Sequence, residues 1–339
     1  MSSAPLLQTR ALKVHYPVSG NARREGNHLL RAVDGVDMKL QRGKTLGVVG
    51  ESGCGKSTLI RAILGFAPIS AGDILVKGAS LKNLKPKAWR SIRKSVQIIY
   101  QDPLASLDPR MVVRDIIAEP MRALLPRQSR SQIHERVSDL LQQVGLSTRH
   151  MERYPHEFSG GQCQRIGIAR ALAVHPELVL CDEPVSALDV SVQAQIINLL
   201  QSLQVEHGLA MLFVAHDLSV VRHISHEVMV MYLGQVVEYA TRDELFSRPT
   251  HPYTQALMMA VPIPDPRRAR NRKPILLAGE PPSPTHPPPG CRFHQRCPLA
   301  QPLCRIQPPE LRAITPLHAV ACHFAEQIQQ QNFQSRTDG

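Results

Sequence analysis

Aromatic side chains make up only 4% of this 339-residue chain, with a single Trp. Its core must therefore be built chiefly from Leu, Ile, Val, Ala and Met. No apolar run approaches the ~20 residues that a membrane-spanning helix requires. The opening MSSAPLLQTRALKVHYP lacks the basic start and apolar stretch of a secretory signal. A soluble, cytosolic protein is expected. No internal repeat of about 20–50 residues and no sustained heptad occurs, which argues against solenoids and long coiled coils. None of the seven cysteines lies within two to four residues of another, the spacing that structural zinc prefers. Acidic residues are in deficit, 28 against 40 basic ones, for a net charge of +12. That excess suits nucleic acid, anionic headgroups or phosphate-bearing ligands and does not choose among them.

At 43% hydrophobic and 20% charged residues the composition is ordinary for a globular protein. The length allows one large domain and a smaller one. Proline marks the division: fifteen of the 28 fall between Pro262 and Pro316. Upstream, TLGVVG (45–50), SVQIIY (95–100), ELVLCD (177–182) and AMLFVA (210–215) are short apolar runs bounded by turn residues and followed by helical patterns. This is the pattern of an α/β fold with a largely parallel sheet covered on both faces. The spacing predicts a helix over 131–144, with Ile133, Val137, Leu140, Leu141 and Val144 on one face and Gly145 as its stop. A second is predicted over 191–206, with Ile196, Ile197, Leu200 and Leu203 inward and Gly208 beyond its end.

GESGCGKST (50–58) has the spacing of a phosphate-binding loop: Gly50, Gly55, Lys56 and Ser57 take the set places, with Glu51, Ser52, Gly53 and Cys54 between and Thr58 after. It follows a predicted strand and opens a helix. Glycines let the backbone wrap a phosphate chain while N–H groups and the helix amino end supply positive potential. Lys56 is expected to reach the β- and γ-phosphates of a nucleotide, and the Ser57 hydroxyl to hold Mg²⁺. LVLCDEP (178–184) carries Asp182 and Glu183 at a strand's carboxyl end, where open α/β sheets bind ligands. Asp182 suits Mg²⁺, and Glu183 suits polarising the attacking water. Cys54, Cys163 and Cys181 lie inside motifs and read as small fillers, with Cys54 open to alkylation beside the phosphates.

Between these halves, FSGGQCQRIGIARAL (158–172) places Ser159, Gly160, Gly161 and Gln162 at a helix start. This resembles the signature of ABC ATPases, with Phe158 where Leu is usual. Gln101 in IIYQDP resembles the Q-loop, SALD (186–189) the D-loop, and His216 in FVAHD the switch histidine. Tyr16 in KVHYP resembles the aromatic that stacks on adenine. The likeness spans residues 6–240. It implies an ABC-type nucleotide-binding domain over 1–248 with an inserted helical subdomain near 102–165. It also implies head-to-tail pairing, in which Ser159–Gln162 serve the partner's ATP. Gln101 would sense the γ-phosphate through Mg²⁺ and water.

RPTHPYTQALMMAVP (248–262) and GEPPSPTHPPPGCRFHQRCP (279–298) resemble the carboxy-terminal extension of dipeptide/oligopeptide importer ATPases, here assigned to 249–330. The resemblance implies an ATPase energising peptide import from the cytoplasmic side of the inner membrane. Its expected partners are a related ATPase chain, two membrane permeases and, indirectly, a substrate-binding protein. Relatives importing nickel chelates or glutathione share the extension. A non-transport ABC ATPase acting on nucleic acid is the alternative of a different class, disfavoured because the chain has one ATPase core and no coiled-coil or zinc insertion. Cys291, Cys297, Cys304 and Cys322 are separated by five, six and seventeen residues. A cytosolic location argues against disulfides, which leaves free thiols, zinc or an iron–sulfur cluster. Some members of the resembled family hold a 4Fe–4S cluster in this extension, so a 4Fe–4S cluster, with Zn²⁺ as alternative, is the expectation here.

Overall fold

The computed structural model describes residues 4–18, 28–260 and 279–330, so part of the proline-rich stretch, 261–278, lies outside the described residues. Along the chain come β1 (Leu7–Val18), β2 (His28–Leu40), β3 (Thr45–Val49), α1 (Lys56–Ile63), β4 (Ala71–Val76), β5 (Ala79–Ser80), α2 (Pro86–Ser95) and β6 (Val96–Ile99). Next are α3 (Val113–Leu124), α4 (Arg130–Gln143), α5 (Gly160–Leu172), β7 (Leu178–Asp182), α6 (Val190–His207), β8 (Ala210–Ala215) and α7 (Leu218–Ile224). The last are β9 (Glu227–Tyr232), β10 (Gln235–Thr241), α8 (Arg242–Ser247), α9 (Pro252–Ala260), α10 (Pro302–Ile306), β11 (Arg312–Thr315) and β12 (His318–Val320). They fall into two compact units. The first holds Lys39–Thr45, Leu75–Ala215 and the residues up to Gln8; the second holds Thr9–Met38, Leu46–Ile74 and the chain from His216 on.

In the first unit β6, β7 and β8 form a parallel ladder, with Ile98 opposite Leu180 and Leu180 opposite Leu212. Leu178–Cys181 and Ala210–Val214 are fully buried, as expected of strands covered on both faces. Between β6 and β7 the chain forms α3, α4 and α5. Helix α4 opens on a capping box, in which Ser129, four positions before Ile133, and Gln132 each accept the other's backbone N–H. Val137, Leu140, Leu141 and Val144 are buried, as the periodicity predicts. Gly145 ends the helix at φ +72°, with its N–H donating to Gln142 O and Leu146 N–H donating to Leu141 O. These two bonds satisfy the carbonyls left over at a helix end, and the left-handed residue between them suits glycine.

In the second unit β3 runs parallel to β9, and β9 turns antiparallel into β10 through Leu233–Gly234. Both turn residues have positive φ, the geometry that matches a two-residue hairpin to strand twist. Strands β12 and β11 then add antiparallel beyond β10. A segment so rich in proline predicts little regular structure, yet its last part supplies two strands where proline is sparse. Three of the few aromatics cluster: Tyr232, Tyr253 and Phe293 are among the largest fully buried side chains, with Tyr232 4.8 Å from Tyr253 and 5.2 Å from Phe293 between ring centres. Among the described residues no helix is long and apolar enough to cross a membrane.

Candidate functional site

The loop after β3 is built by close backbone approach. A Cβ on Gly50 would stand 2.3 Å from Met231 O, and one on Gly55, at φ +108°, 2.1 Å from Ala32 O. No side chain larger than hydrogen fits at either place. Gly55 is the N-cap of α1 and offers no side-chain cap to the helix start, so the first turn presents its N–H groups and dipole toward the loop. The buried Lys56 ammonium donates to Gly50 O at 2.8 Å and to Glu51 O at 3.1 Å. The β9–β10 turn braces this loop, because Gly234 N–H donates to Cys54 O at 2.9 Å. A cavity of about 450 Å³ is lined by Glu51, Ser52, Gly53 and Cys54 together with Tyr232, Leu233 and residues 280–284. Cys54 is buried and its thiol is pushed up by that burial. It is a packing residue poorly suited to alkylation, contrary to the expectation that it is open to such reagents.

In the first unit β7 delivers Asp182 and Glu183 to its carboxyl end. Glu183 N–H donates to Val214 O at 3.0 Å, and Glu183 takes φ +47°. A non-glycine residue in this region stores strain and is over-represented where side chains are aimed for function. The Gln101 amide, two residues past β6, donates to Glu183 Oε2 at 3.1 Å. Gln101 and Glu183, 82 residues apart in sequence, are thus brought together. At the start of α5, Gln162 N–H donates to Ser159 Oγ at 3.4 Å, and Ser159 N–H donates to Gln162 Oε1 at 3.0 Å. The signature Ser and Gln are therefore the helix's own capping box. A Cβ on Gly161 would lie 2.5 Å from Val192 Cγ1, so this glycine is required by the packing of α5 on α6.

Tyr16 lies half-buried on β1, and His216 is exposed immediately after β8. Beside Tyr16, His15 Nε2 lies 3.1 Å from Asp34 Oδ1. Burial alone would raise the Asp34 carboxyl, but the charge and hydrogen bonds of Arg292, with His15, bring it below its ordinary value.

The four C-terminal cysteines line one small cavity of about 20 Å³, together with His251, Phe293 and Phe324. They are free thiols. Burial pushes Cys291 up to about 11 and Cys297 up to about 12, which keeps both protonated near neutrality. Among the described residues no group of three or more His, Cys, Asp or Glu side chains is arranged to hold a metal ion. The expectation of a 4Fe–4S cluster or Zn²⁺ at Cys291, Cys297, Cys304 and Cys322 is thereby corrected. Ligation needs side chains converging on a point, and what is found is four cysteines lining an apolar pocket without that arrangement.

Other residues, unremarked in the sequence, tie the extension down. The Arg292 guanidinium pairs with the Asp34 carboxylate and donates to Leu233 O, both in buried surroundings. Arg296 forms a two-point pair with Glu51, at 2.7 and 3.0 Å. The Tyr253 hydroxyl accepts from Glu51 N–H at 2.8 Å. His318 Nε2 meets Glu238 Oε1 at 2.6 Å in a fully buried pair, and Glu238 also accepts from the N–H groups of Thr250 and His251. The signal was present in RFHQR, two arginines four apart around an aromatic, but the flanking cysteines claim attention first.

Residues 33–186 match the model of the ABC transporter family, and residues 237–304 match that of the oligopeptide/dipeptide transporter C-terminal region. The chain is 54% identical to the oligopeptide transport ATP-binding protein OppF of Escherichia coli over 94% of its own length and 95% of that protein. It is 51% identical to the dipeptide transport ATP-binding protein DppF of the same organism, over 86% of each chain. Among solved structures, cbiO1 of Clostridium perfringens, part of the ABC transporter complex cbiONQ, superposes with a TM-score of 0.62 at 26% identity, covering 72% of this chain and 92% of that one. The fold is a P-loop ABC nucleotide-binding fold with an inserted helical subdomain and a distinct C-terminal region. This chain belongs to the ATP-binding subunits of the oligopeptide/dipeptide ABC transporter family.

Proposed function

We propose that the chain binds and hydrolyses ATP to energise import of oligopeptides or dipeptides, working at the cytoplasmic side of the inner membrane as part of an ABC transporter complex. The observation that carries this reading is the 54% identity with a peptide-transport ATPase across nearly the whole chain, extension included. Residues 1–248 form the ATPase and 249–330 the extension. Its partners are a related ATPase chain and two membrane permeases that receive peptide from an external binding protein; nucleic acid is not among them.

The residues act by charge and position. Gly50–Thr58 wrap the phosphates with main-chain N–H groups, and Lys56 neutralises the β- and γ-phosphates. Ser57, Gln101 and Asp182 offer the hard oxygen donors that Mg²⁺ takes, and the bound ion supplies charge neutralisation on the phosphate oxygens. Glu183 accepts the proton of the attacking water or orients it, with Gln101 holding its carboxylate in place. His216 donates a hydrogen bond toward the γ-phosphate, and Tyr16 stacks on adenine. Ser159, Gly160, Gly161 and Gln162 present the start of α5 to the nucleotide of the partner ATPase. ATP then holds the pair closed, and its hydrolysis releases it.

The test is reconstitution of the chain with its co-expressed ATPase and permease partners in proteoliposomes. ATP-dependent accumulation of a labelled peptide, abolished by Glu183→Gln in this chain, is the expected result. ATPase activity that responds to RNA or DNA and not to peptide-loaded binding protein would overturn it.

A further inference from the structure

Glu51 is the sole acidic residue in the phosphate-binding loop GESGCGKST, whose proposed ligand is itself strongly anionic. A carboxylate left free there would repel phosphate. It is not left free. Both oxygens of Glu51 accept from Arg296, in the parallel two-bond geometry that makes Arg–carboxylate pairs strong and directional. The Arg296 side chain is 7% exposed and that of Glu51 28%, so the pair is only partly screened by solvent. The Arg296 guanidinium also lies over the Tyr232 ring, 5.9 Å from its centre. That ring packs on Tyr253, whose hydroxyl takes the Glu51 main-chain N–H. Side chain and backbone of one loop residue are thus both held from the C-terminal extension, the first by Arg296 and the second by Tyr253 on α9. Arg292, four residues before Arg296, anchors elsewhere, on Asp34 and Leu233.

We propose that Arg296 is a positioning residue for nucleotide binding: by neutralising and fixing Glu51 it makes the C-terminal extension a determinant of how tightly the loop takes ATP. The inference rests on the ATPase reading above and deepens it. Arg296 does not touch the phosphates; it acts through Glu51. Removing it frees a negative charge beside the phosphate chain, so the loss of affinity depends on Glu51 and is reduced by salt. A merely structural role would show neither dependence.

The experiment titrates the full-length chain, with Mg²⁺, using a fluorescent ATP analogue. Arg, Lys and Gln are compared at position 296, each with Glu51 intact and with Glu51→Gln, and thermal unfolding verifies that each variant is folded. With Glu51 intact, Arg296→Gln is expected to weaken binding about tenfold. Arg296→Lys, which keeps charge but loses the fork, is expected to weaken it about two- to threefold. With Glu51→Gln all three should agree within about twofold, and the Arg296→Gln loss should shrink as ionic strength rises. Equal binding across the series, or the same losses in both backgrounds, overturns the inference while leaving the ATPase reading intact. A wild-type chain that does not bind the analogue overturns both. Should Arg296→Gln not fold, the Arg-versus-Lys difference decides: lost on Glu51→Gln it supports the inference, persisting it defeats it.

Discussion

The Gln101 amide donates to the Glu183 carboxylate at 3.1 Å, and Glu183 keeps that place with a backbone φ of +47°. A left-handed non-glycine residue costs on the order of 1–3 kcal/mol and persists where the surroundings over-determine it. Here the surroundings are the β7–β8 ladder, through Val214 O, and the turn in which Ser186 N–H and Oγ–H donate to Glu183 O. Glu183→Gln should lower steady-state phosphate release about 10²–10⁴-fold while the chain still binds ATP. A variant retaining a tenth of the wild-type rate would remove Glu183 from its assigned role.

Gly161 meets Val192 with no room for a methyl group. Val192 is short and stiff, so it cannot swing aside cheaply. Gly161→Ala should destabilise the protein by about 1–3 kcal/mol, an ordinary overpacking cost. Adding Val192→Ala should restore part of that loss. Urea denaturation of the two single variants and the double reads the coupling, and strictly additive effects would contradict the contact.

The Arg292–Asp34 pair is buried on both sides. Breaking such a pair from one side strands the other charge, whereas replacing both ends with uncharged groups relieves it. Asp34→Asn should therefore cost about 3–5 kcal/mol. Arg292→Met with Asp34→Asn should cost less than Asp34→Asn alone, and chemical denaturation of these two variants beside the unaltered chain decides. A double variant weaker than Asp34→Asn would show that the pair contributes more than mutual compensation.

His251 is fully buried, and burial holds it down to about 4 from an ordinary 6.5. Tyr253 N–H donates to its Nδ1 at 3.1 Å, which requires an unprotonated acceptor there. Between these two values the unfolded chain carries a proton that the folded one lacks, so stability rises with pH across the window. The contribution is fully present above about pH 6.5 and is lost as pH falls toward 4; its full size is about 3 kcal/mol. His251→Asn should flatten this part of the curve. Denaturation midpoints at pH 5 and pH 7.5 suffice, and an unchanged difference between them in the variant would refute the assignment.

The central architecture was legible because its signals are local. The four apolar runs became β3, β6, β7 and β8, with ends within one residue of those expected. The two periodic helices run Arg130–Gln143 and Val190–His207, each within one residue of the forecast. Helix period, capping residues and a glycine after the last turn are all read within a dozen consecutive positions. The cysteine tail misled because spacing is poor evidence of where side chains converge. Its thiols do gather around one pocket, but without a ligating arrangement.

By itself the sequence determined the parallel α/β core, the phosphate-binding loop and the order of the motifs, since each depends on neighbours along the chain and on backbone demands that particular residues meet. Tertiary structure alone decided what those motifs rest on. Arg296 finds Glu51 across 245 residues and Arg292 finds Asp34 across 258. Such pairings are set by how strands and loops are brought together in space, and no periodicity records them. The same holds for the scarce aromatics. Their small number was visible at once, but the gathering of Tyr232, Tyr253 and Phe293 behind the phosphate-binding loop follows from the path of β9, α9 and the extension.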